Sequence, residues 1–458
     1  MSPTVVLVLA VVALPLLATG AVVWRRALLL SLPFLAILNG LALPVGASSL
    51  RLDQLAACAL VVPLAASLLT GARTPRTDPV VWWLAAILVA NVASSVLHSP
   101  TLGYSLRQCG NLASVWVMYL LLVQFLDTRA DLDAFLRRSL WAAALAGVLG
   151  VGAYLLAVAG LPVGGAEVSR SAVEHLTNAY GAFGTMVEPN ILGSFSGAWL
   201  VVAASLLAVS HRAPDVPTRL LRLVSAATAA ALVFSFTRAA WLGALVGGGV
   251  FALGARRTLG VRVRAARRHA ARVAIPVAAL AVVVAALWAL PSGAGALFRF
   301  KLLNLVNLES PTATLRLVTY GLALQQTADH AIVGWGTFTF APLVAQGSDF
   351  QQFENWKNLW IGNWLLLALH DTGVVGAALW IGMLWTALRR GVRAARVARD
   401  TDPALAARTL ALTAAVASLL VPFLATTGFS LGWPWLLMGL LGAHVRLAED
   451  SRRPADVP

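Results

Sequence analysis

Long apolar runs separated by short, arginine-rich connections set the pattern of this chain from its first residues to its last. A bilayer core of about 30 Å takes about 20 residues of helix, and most of the runs reach that length. The pattern predicts spans at about 4–23, 27–45, 54–71, 80–97, 109–126, 139–160, 191–210, 219–236, 238–254, 273–290, 358–386, 408–425 and 431–446. The runs are too long, and too rich in Leu, Ala and Val, for the alternating strands of a closed barrel, so helices must satisfy the backbone internally. The expected class is therefore all-α, a polytopic transmembrane bundle of 12–13 spans. The count turns on the first run and on the tight pair within 219–254. The order of runs divides the chain into N-terminal transmembrane helices (1–290), a large external loop with short helices (291–357), C-terminal transmembrane helices (358–446) and a cytoplasmic tail (447–458).

Composition sharpens this picture. The 458 residues are 59% hydrophobic and only 12% charged, whereas soluble domains carry about 25% charge. A soluble enzyme on a membrane tether is excluded. The net charge of +15 would suit nucleic acid, but its distribution argues otherwise. Of the 34 Lys and Arg residues, 26 fall on connections that strict alternation places in the cytoplasm. The positive-inside rule then sets the N-terminus outside and the C-terminus inside, in the cytoplasmic membrane, with anionic lipid and not nucleic acid as the partner of those loops. The first run has no basic n-region or A-x-A exit and is read as retained. Cys58 and Cys109 lie in or beside apolar runs and read as small buried hydrophobes.

The external segments 161–190 and 291–357 are too long to be simple turns, so function is expected to concentrate there. The second contains a helix-like piece around 313–328, with Leu315, Val318 and Leu322 on one side and Arg316, Tyr320 and Thr327 nearer the other. It is expected to lie at the interface or cap the bundle.

Eight basic residues remain on the outward side: Arg51, Arg107, Arg170, Arg238, Arg299, Lys301, Arg316 and Lys357. Arg238 is the only charge in an apolar run of about thirty residues. A guanidinium there costs about 2.5–3.5 kcal/mol unless it snorkels or meets an anion. It either binds an anion or marks the turn of a helical hairpin at the lipid headgroups. Arg316, in the first turn of the helix-like piece, opposes the helix dipole and wants an anionic partner. With Arg238 it would form a fork for a phosphate or diphosphate. A salt bridge to Glu309 is the other reading. Arg107, beside Gln108 and Asn111, is a third candidate member or a snorkelling anchor.

Acid–base candidates are few. His330 and His370 lie near the long loop, with Glu188, Asp349, Glu354 and Asp371 as the neighbouring carboxylates. His370 and Asp371 are as suited to satisfying one another as to chemistry. His175, His211, His269 and His444 read as solvated surface residues. No spacing suits a metal and no P-loop is present, so neither a metal nor another cofactor is expected. Gly334-Trp335-Gly336 reads as a tight turn. Trp356, Trp360 and Trp364 either offer sugars a stacking surface or belong to an interfacial belt.

Four segments, in this order and on these sides, resemble the O-antigen ligase and polymerase family of bacterial envelope proteins. They are Glu188-Pro189-Asn190; the Ser-Phe-Thr-Arg-Ala-Ala-Trp unit at 235–241; Arg316 followed by His330-Ala331-Ile332-Val333-Gly334-Trp335-Gly336; and Asn363-Trp364-Leu365-Leu366 through Asp371-Thr372-Gly373-Val374-Val375-Gly376. The resemblance covers about residues 180–380. It implies a GT-C-like integral membrane glycosyltransferase that takes a glycan from a polyprenyl-diphosphate carrier such as undecaprenyl diphosphate. The acceptor is a hydroxyl of a lipid, glycan or protein outside the cytoplasmic membrane, and neither nucleotide nor metal is needed. Arg238 and Arg316 would then bind the diphosphate, with Arg107 as a third member, and a general base would assist the acceptor. The family's histidine before the helix Asn363 is here Gly362. Glu354, Glu188 and His370 are the candidate substitutes, with Glu354 favoured, and Asp371 and Gly373 match the helix motif. The alternative is a transporter or lipid- and glycan-binding membrane protein of the same fold.

Overall fold

The computed structural model describes residues 23–45, 48–158, 161, 166–167, 181–213, 215–259, 285, 288–289, 299, 303, 311–346 and 360–451. The spans expected at 4–23 and 273–290 fall almost wholly outside the described residues, as do Glu354, Glu309, Asp349, His175 and Trp356.

The protein is an all-α polytopic bundle. In chain order its elements are α1 (Arg25–Ala36), a hairpin of β1 (Ala42–Val45) and β2 (Ser48–Arg51), α2 (Leu52–Leu69), α3 (Pro79–His98), α4 (Leu102–Phe125) and α5 (Arg129–Val158). A two-residue pair, β3 (Ala166–Glu167) and β4 (Gly181–Ala182), precedes α6 (Pro189–Ala208), α7 (Thr218–Phe234) and α8 (Arg238–Thr258). Then come α9 (Pro311–Asp329), α10 (Phe340–Gln346), α11 (Trp364–Val397), α12 (Pro403–Leu419), two single 3-10 turns and α13 (Gly432–Asp450). Among the described residues eight helices, α2–α6, α8, α11 and α12, are long and apolar enough to cross a membrane.

Small residues let these helices approach. Glycines 243 and 247 on α8 face Ser418 and Ala414 of α12, where any side chain would overlap the facing atoms. Gly439 and Gly442 of α13 do the same for Tyr119 and Leu122 of α4. Backbones that meet this closely give membrane helices their van der Waals cohesion, since lipid supplies no hydrophobic drive between them.

Four expected spans are redrawn. The run at 27–45 is helical only to Ala36. Asn39 accepts a hydrogen bond from the Val187 amide, the Gly40 amide bonds the Thr185 carbonyl, and Thr185 Oγ1 donates to the Ile37 carbonyl. The chain is captured by the segment preceding α6 and turns into the β1–β2 hairpin. Helix α4 starts at Leu102 and takes in Arg107, Gln108 and Asn111; α5 starts at Arg129 and takes in Arg137 and Arg138, so these arginines stand on helices and not on a connection. The span expected at 358–386 is two helical pieces joined at Gly373, which has φ 64° and ψ −166°.

One end of the bundle is tied by arginine–carboxylate pairs. Arg408, fully buried, lies between Asp133 and Asp215, and Arg129 reaches Asp133, Asp215 and Asp402. Arg73 and Arg76 share Asp127, and Arg390 joins Asp78 to Glu449 at 2.7 Å each. At the other end α6, α7 and α12 stop at one level, where Thr237 Oγ1 donates to the Pro189 carbonyl and Thr426 Oγ1 donates to Glu188. Asn91 of α3 and Leu112 of α4 line the same cleft as Thr427 and Ser430 at this level. The turn from α3 to α4 lies seven to ten residues beyond them, so it rises about 10–15 Å above a floor made by residues near 188, 238 and 425.

Candidate functional site

The floor is built around a tight turn between α7 and α8. Phe236 occupies the left-handed region at φ 52°, and Trp241 braces the turn by donating from Nε1 to the Leu232 carbonyl at 2.8 Å. Gly193 of α6 permits the close approach, since a Cβ there would lie 2.6–2.9 Å from Ser235 and Thr237. Arg238 is thereby set in the first turn of α8, exposed, at a helix terminus whose dipole is also positive.

Helix α9 brings the second arginine. Its buried face is Thr319, Ala323 and Thr327, while Leu315, Leu317, Val318 and Leu324 are exposed. The inward face packs on Phe340, Val344, Ile361 and Leu366, with the hydroxyls of Thr319 and Thr327 satisfied by the carbonyls of Leu315 and Ala323 on the same helix. Arg316 is half-buried on this helix, and its charge and that of Arg238 repel one another across the floor. Tyr320, one turn on, places its hydroxyl 2.9 Å from the carbonyl oxygen of Gly362 and 3.2 Å from that of Leu424. Burial raises its pKa against the opposing pull of Arg316, which keeps the proton on that donor. One hydroxyl therefore joins α9, the entry to α11 and the 420–431 connection.

The entry to α11 is a re-entrant half-helix. Trp364 and Trp380 are 16 residues apart, about 24 Å along a straight helix, yet their ring centroids lie 6.0 Å apart. The piece 364–372 folds back on the rest of α11 about Gly373, where a Cβ would overlap the Ile332 carbonyl. The backbone groups freed by the break are taken up by the segment after α9. The Val374 amide donates to the Ala331 carbonyl (2.8 Å), the Trp335 amide to that of His370 (3.0 Å) and the Gly336 amide to that of Asp371 (2.9 Å). Gly334, with φ 81°, fits because a Cβ would overlap Asp371 and Thr372. Asn363 caps the half-helix by accepting from the amides of Leu365 and Leu366 at 3.0 and 3.1 Å.

His370 and Asp371 sit inside this junction. His370 Nδ1 is 3.0 Å from the Asp371 carboxylate and its Nε2 is held by the Gln326 amide at 3.0 Å; the other Asp371 oxygen accepts from the Phe338 amide at 2.8 Å. Both side chains are buried. Their geometry holds the break in place and gives neither ring nitrogen to an incoming hydroxyl. Of the sequence candidates, then, Glu188 and Arg238 adjoin the bonded pair Pro189 and Thr237, and Arg316 is near enough to Arg238 for its charge to be felt there. Asn363, His370, Asp371 and Gly373 form the broken helix, and Arg107 stands exposed on the second turn of α4, on the wall. Glu354 lies outside the described residues.

Two contributors are not among the site candidates read from the sequence, although the sequence places Tyr320 on the same side of its helix as Arg316. Tyr320 is four residues from Arg316, a spacing that puts both on one helix face. His98, at the end of α3, stacks on His330 with centroids 4.1 Å apart, while Trp335 meets His330 edge-on at 4.2 Å and His98 Nδ1 lies 2.8 Å from the Gly334 carbonyl. Burial and the neighbouring His98 lower the His330 pKa, with Asp329 opposing. Nothing in the local sequence pairs residues 98 and 330. Among the described residues no three His, Cys, Asp or Glu side chains gather as a metal would require.

The comparison with known families falls on α7 to α11: residues 223–381 match the family model described as O-antigen ligase. The matched segment, about a third of the chain, is similar to that family. It holds Arg238, Arg316, Tyr320, Gly362, the half-helix and the strap over Gly373. The eight apolar helices among the described residues fit a multi-pass membrane protein, and the match indicates glycan transfer of the O-antigen ligase or polymerase type in general. No curated protein matches the chain.

Proposed function

We propose that this O-antigen ligase-type protein transfers or polymerises a glycan from a polyprenyl-diphosphate-linked donor onto an acceptor hydroxyl, at the outer face of the cytoplasmic membrane. What supports this reading is that Arg238 and Arg316, far apart in sequence, lie near enough for the charge of one to be felt at the other. A diphosphate relieves the repulsion between them, and the two guanidiniums neutralise the charge that builds on it as it leaves. The acceptor oxygen forms a bond to the anomeric carbon as the bond from that carbon to the diphosphate oxygen breaks. The acceptor's proton passes to a carboxylate.

Glu188 is our choice for that carboxylate among the described residues. It is half-buried and bonded to Thr426 at 3.1 Å, and the adjoining Ala425 carbonyl is the nearest atom, at 3.5 Å, to a Cβ placed on Gly362. Glu188 thus approaches the place that the resemblance assigns to a histidine. Glu354, on the loop before the half-helix, is the competing base, and Arg107 on the wall is proposed to meet the donor's more distant groups.

Transfer by the reconstituted protein, with a polyprenyl-diphosphate glycan and a panel of acceptors, tests the reading. Arg238→Ala and Arg316→Ala are each expected to lower transfer about 100-fold or more with unfolding midpoints preserved. Full transfer in both variants would remove the diphosphate role. Glu188→Gln should lose turnover and keep donor binding, whereas unchanged turnover beside an inactive Glu354→Gln would assign the base to Glu354. The broken α11 favours a second reading, because discontinuous helices also build transporter sites. That reading requires solute flux in sealed vesicles lacking any lipid-linked sugar.

A further inference from the structure

At the arginine-rich end, α1 and α5 leave between them a cleft of about 590 Å³, which adjoins a second of about 370 Å³. Leu30, Phe34 and Arg138 line both; Arg26 borders the first, and Arg137 and Trp141 the second. The carboxylates nearest in sequence are already engaged. Asp131 pairs with Arg26 at 3.3 Å, and Asp133 is shared by Arg129 and Arg408. No carboxylate among the described residues pairs with Arg137 or Arg138. Farther along α5, on the face that carries these two arginines, Trp141, Leu145 and Val148 are 49, 42 and 55% exposed and form an apolar stripe at helical spacing. Guanidiniums without a carboxylate partner at one end of an apolar cleft, with the Trp141 ring heading the stripe beside them, complement a ligand that has an anionic head and hydrocarbon tails.

We propose that the α1–α5 cleft binds an anionic phospholipid of the adjacent leaflet. Arg137 and Arg138 hold its phosphate, with Arg26 at the rim, and its acyl chains run along Leu30, Phe34 and the Trp141–Val148 stripe. The inference is independent of the glycan-transfer reading, because it uses the opposite end of the bundle.

Native mass spectrometry of the full-length protein, titrated with phosphatidylglycerol or phosphatidylcholine, tests it. Phosphatidylglycerol adducts should form on the wild type in preference to phosphatidylcholine. The Arg137→Ser/Arg138→Ser double variant should bind phosphatidylglycerol roughly 30-fold more weakly, from about 1 kcal/mol for each cation removed. An Arg256→Ser/Arg257→Ser control should bind as the wild type does. Quenching of Trp141 by brominated phosphatidylglycerol, read as the difference between wild type and Trp141→Phe, places the lipid without touching an arginine. Equal affinity for the two lipids, wild-type affinity in the double variant, absent Trp141 quenching, or equal displacement by soluble glycerol phosphate would each overturn the proposal.

Discussion

Arg408 and Arg316 both stand on helices of one bundle, yet their surroundings are opposed. Arg408 is fully buried between Asp133 and Asp215, with Arg129 beside it sharing both carboxylates and reaching Asp402. Arg316 is half-buried and looks across the floor at the like charge of Arg238, with Tyr320 one turn away. A buried cation enclosed by carboxylates is complete within the fold, and removing one member exposes the cost of burying the others. Two like charges near one another favour an anionic ligand between them. The first arrangement fixes the ends of α5, α7 and α12 relative to one another; the second is the feature on which the proposed diphosphate role rests.

Replacement of Arg408 by Met gives the largest expected effect. It leaves Asp133 and Asp215 with Arg129 alone and should lower unfolding stability by about 3–5 kcal/mol, while transfer per folded molecule persists. Denaturant unfolding in mild detergent measures this, and an unaltered midpoint would mean that the network ties nothing together. Gly373→Ala comes next. The positive φ and the overlap with Ile332 should cost about 3 kcal/mol and displace the half-helix, so transfer falls while the arginine-rich end is unaffected. Proteolysis of the 331–336 strap, compared with that of the 209–217 connection, reads which end has loosened. Lysine at 238 or 316 keeps the charge and loses the planar fork. It should slow transfer about tenfold, the worth of one charge-assisted hydrogen bond, at constant stability. Equal rates for Arg and Lys would reduce both residues to point charges.

The smallest effect concerns His330. Its folded pKa lies below the ordinary histidine value of about 6.5. The unfolded chain therefore takes up the proton first as pH falls, and stability present above about 6.5 declines below it. Thermal midpoints followed from pH 7.5 to 5.5 should fall in the wild type and be flatter in His330→Gln; parallel slopes would assign the decline elsewhere.

Much of the architecture was legible along the chain because an apolar run in a bilayer has few alternatives to a helix. The runs at 191–210, 219–236 and 238–254 appear as α6, α7 and α8 with ends shifted by no more than a turn, and the helix-like piece at 313–328 is α9. The run at 27–45 misled because its apolar content says nothing of the Thr185–Val187 segment that captures Asn39 and Gly40. Gly373 was visible as a motif residue, but not as a reversal. A glycine inside an apolar run reads the same whether its φ is helical or positive, and only the carbonyls of residues 331 and 332 select the break.

The outward arginines stand out from one-dimensional reasoning alone, since a guanidinium in apolar sequence carries a desolvation cost wherever the chain takes it. Their order and neighbours also carried the likeness to the O-antigen ligase family. Which of them meet is a different matter. Arg238 comes to Arg316 because Gly193 lets α6 reach the α7–α8 turn and because Tyr320 fastens α9 to Gly362 and Leu424. Arg107, equally outward by sequence, stays on the wall with α4. His98 finds His330 because the strap over Gly373 crosses the end of α3. Burial cost is a property of each residue and can be read locally. Partnership depends on contacts between segments tens to hundreds of residues apart, and those are set only when the helices pack.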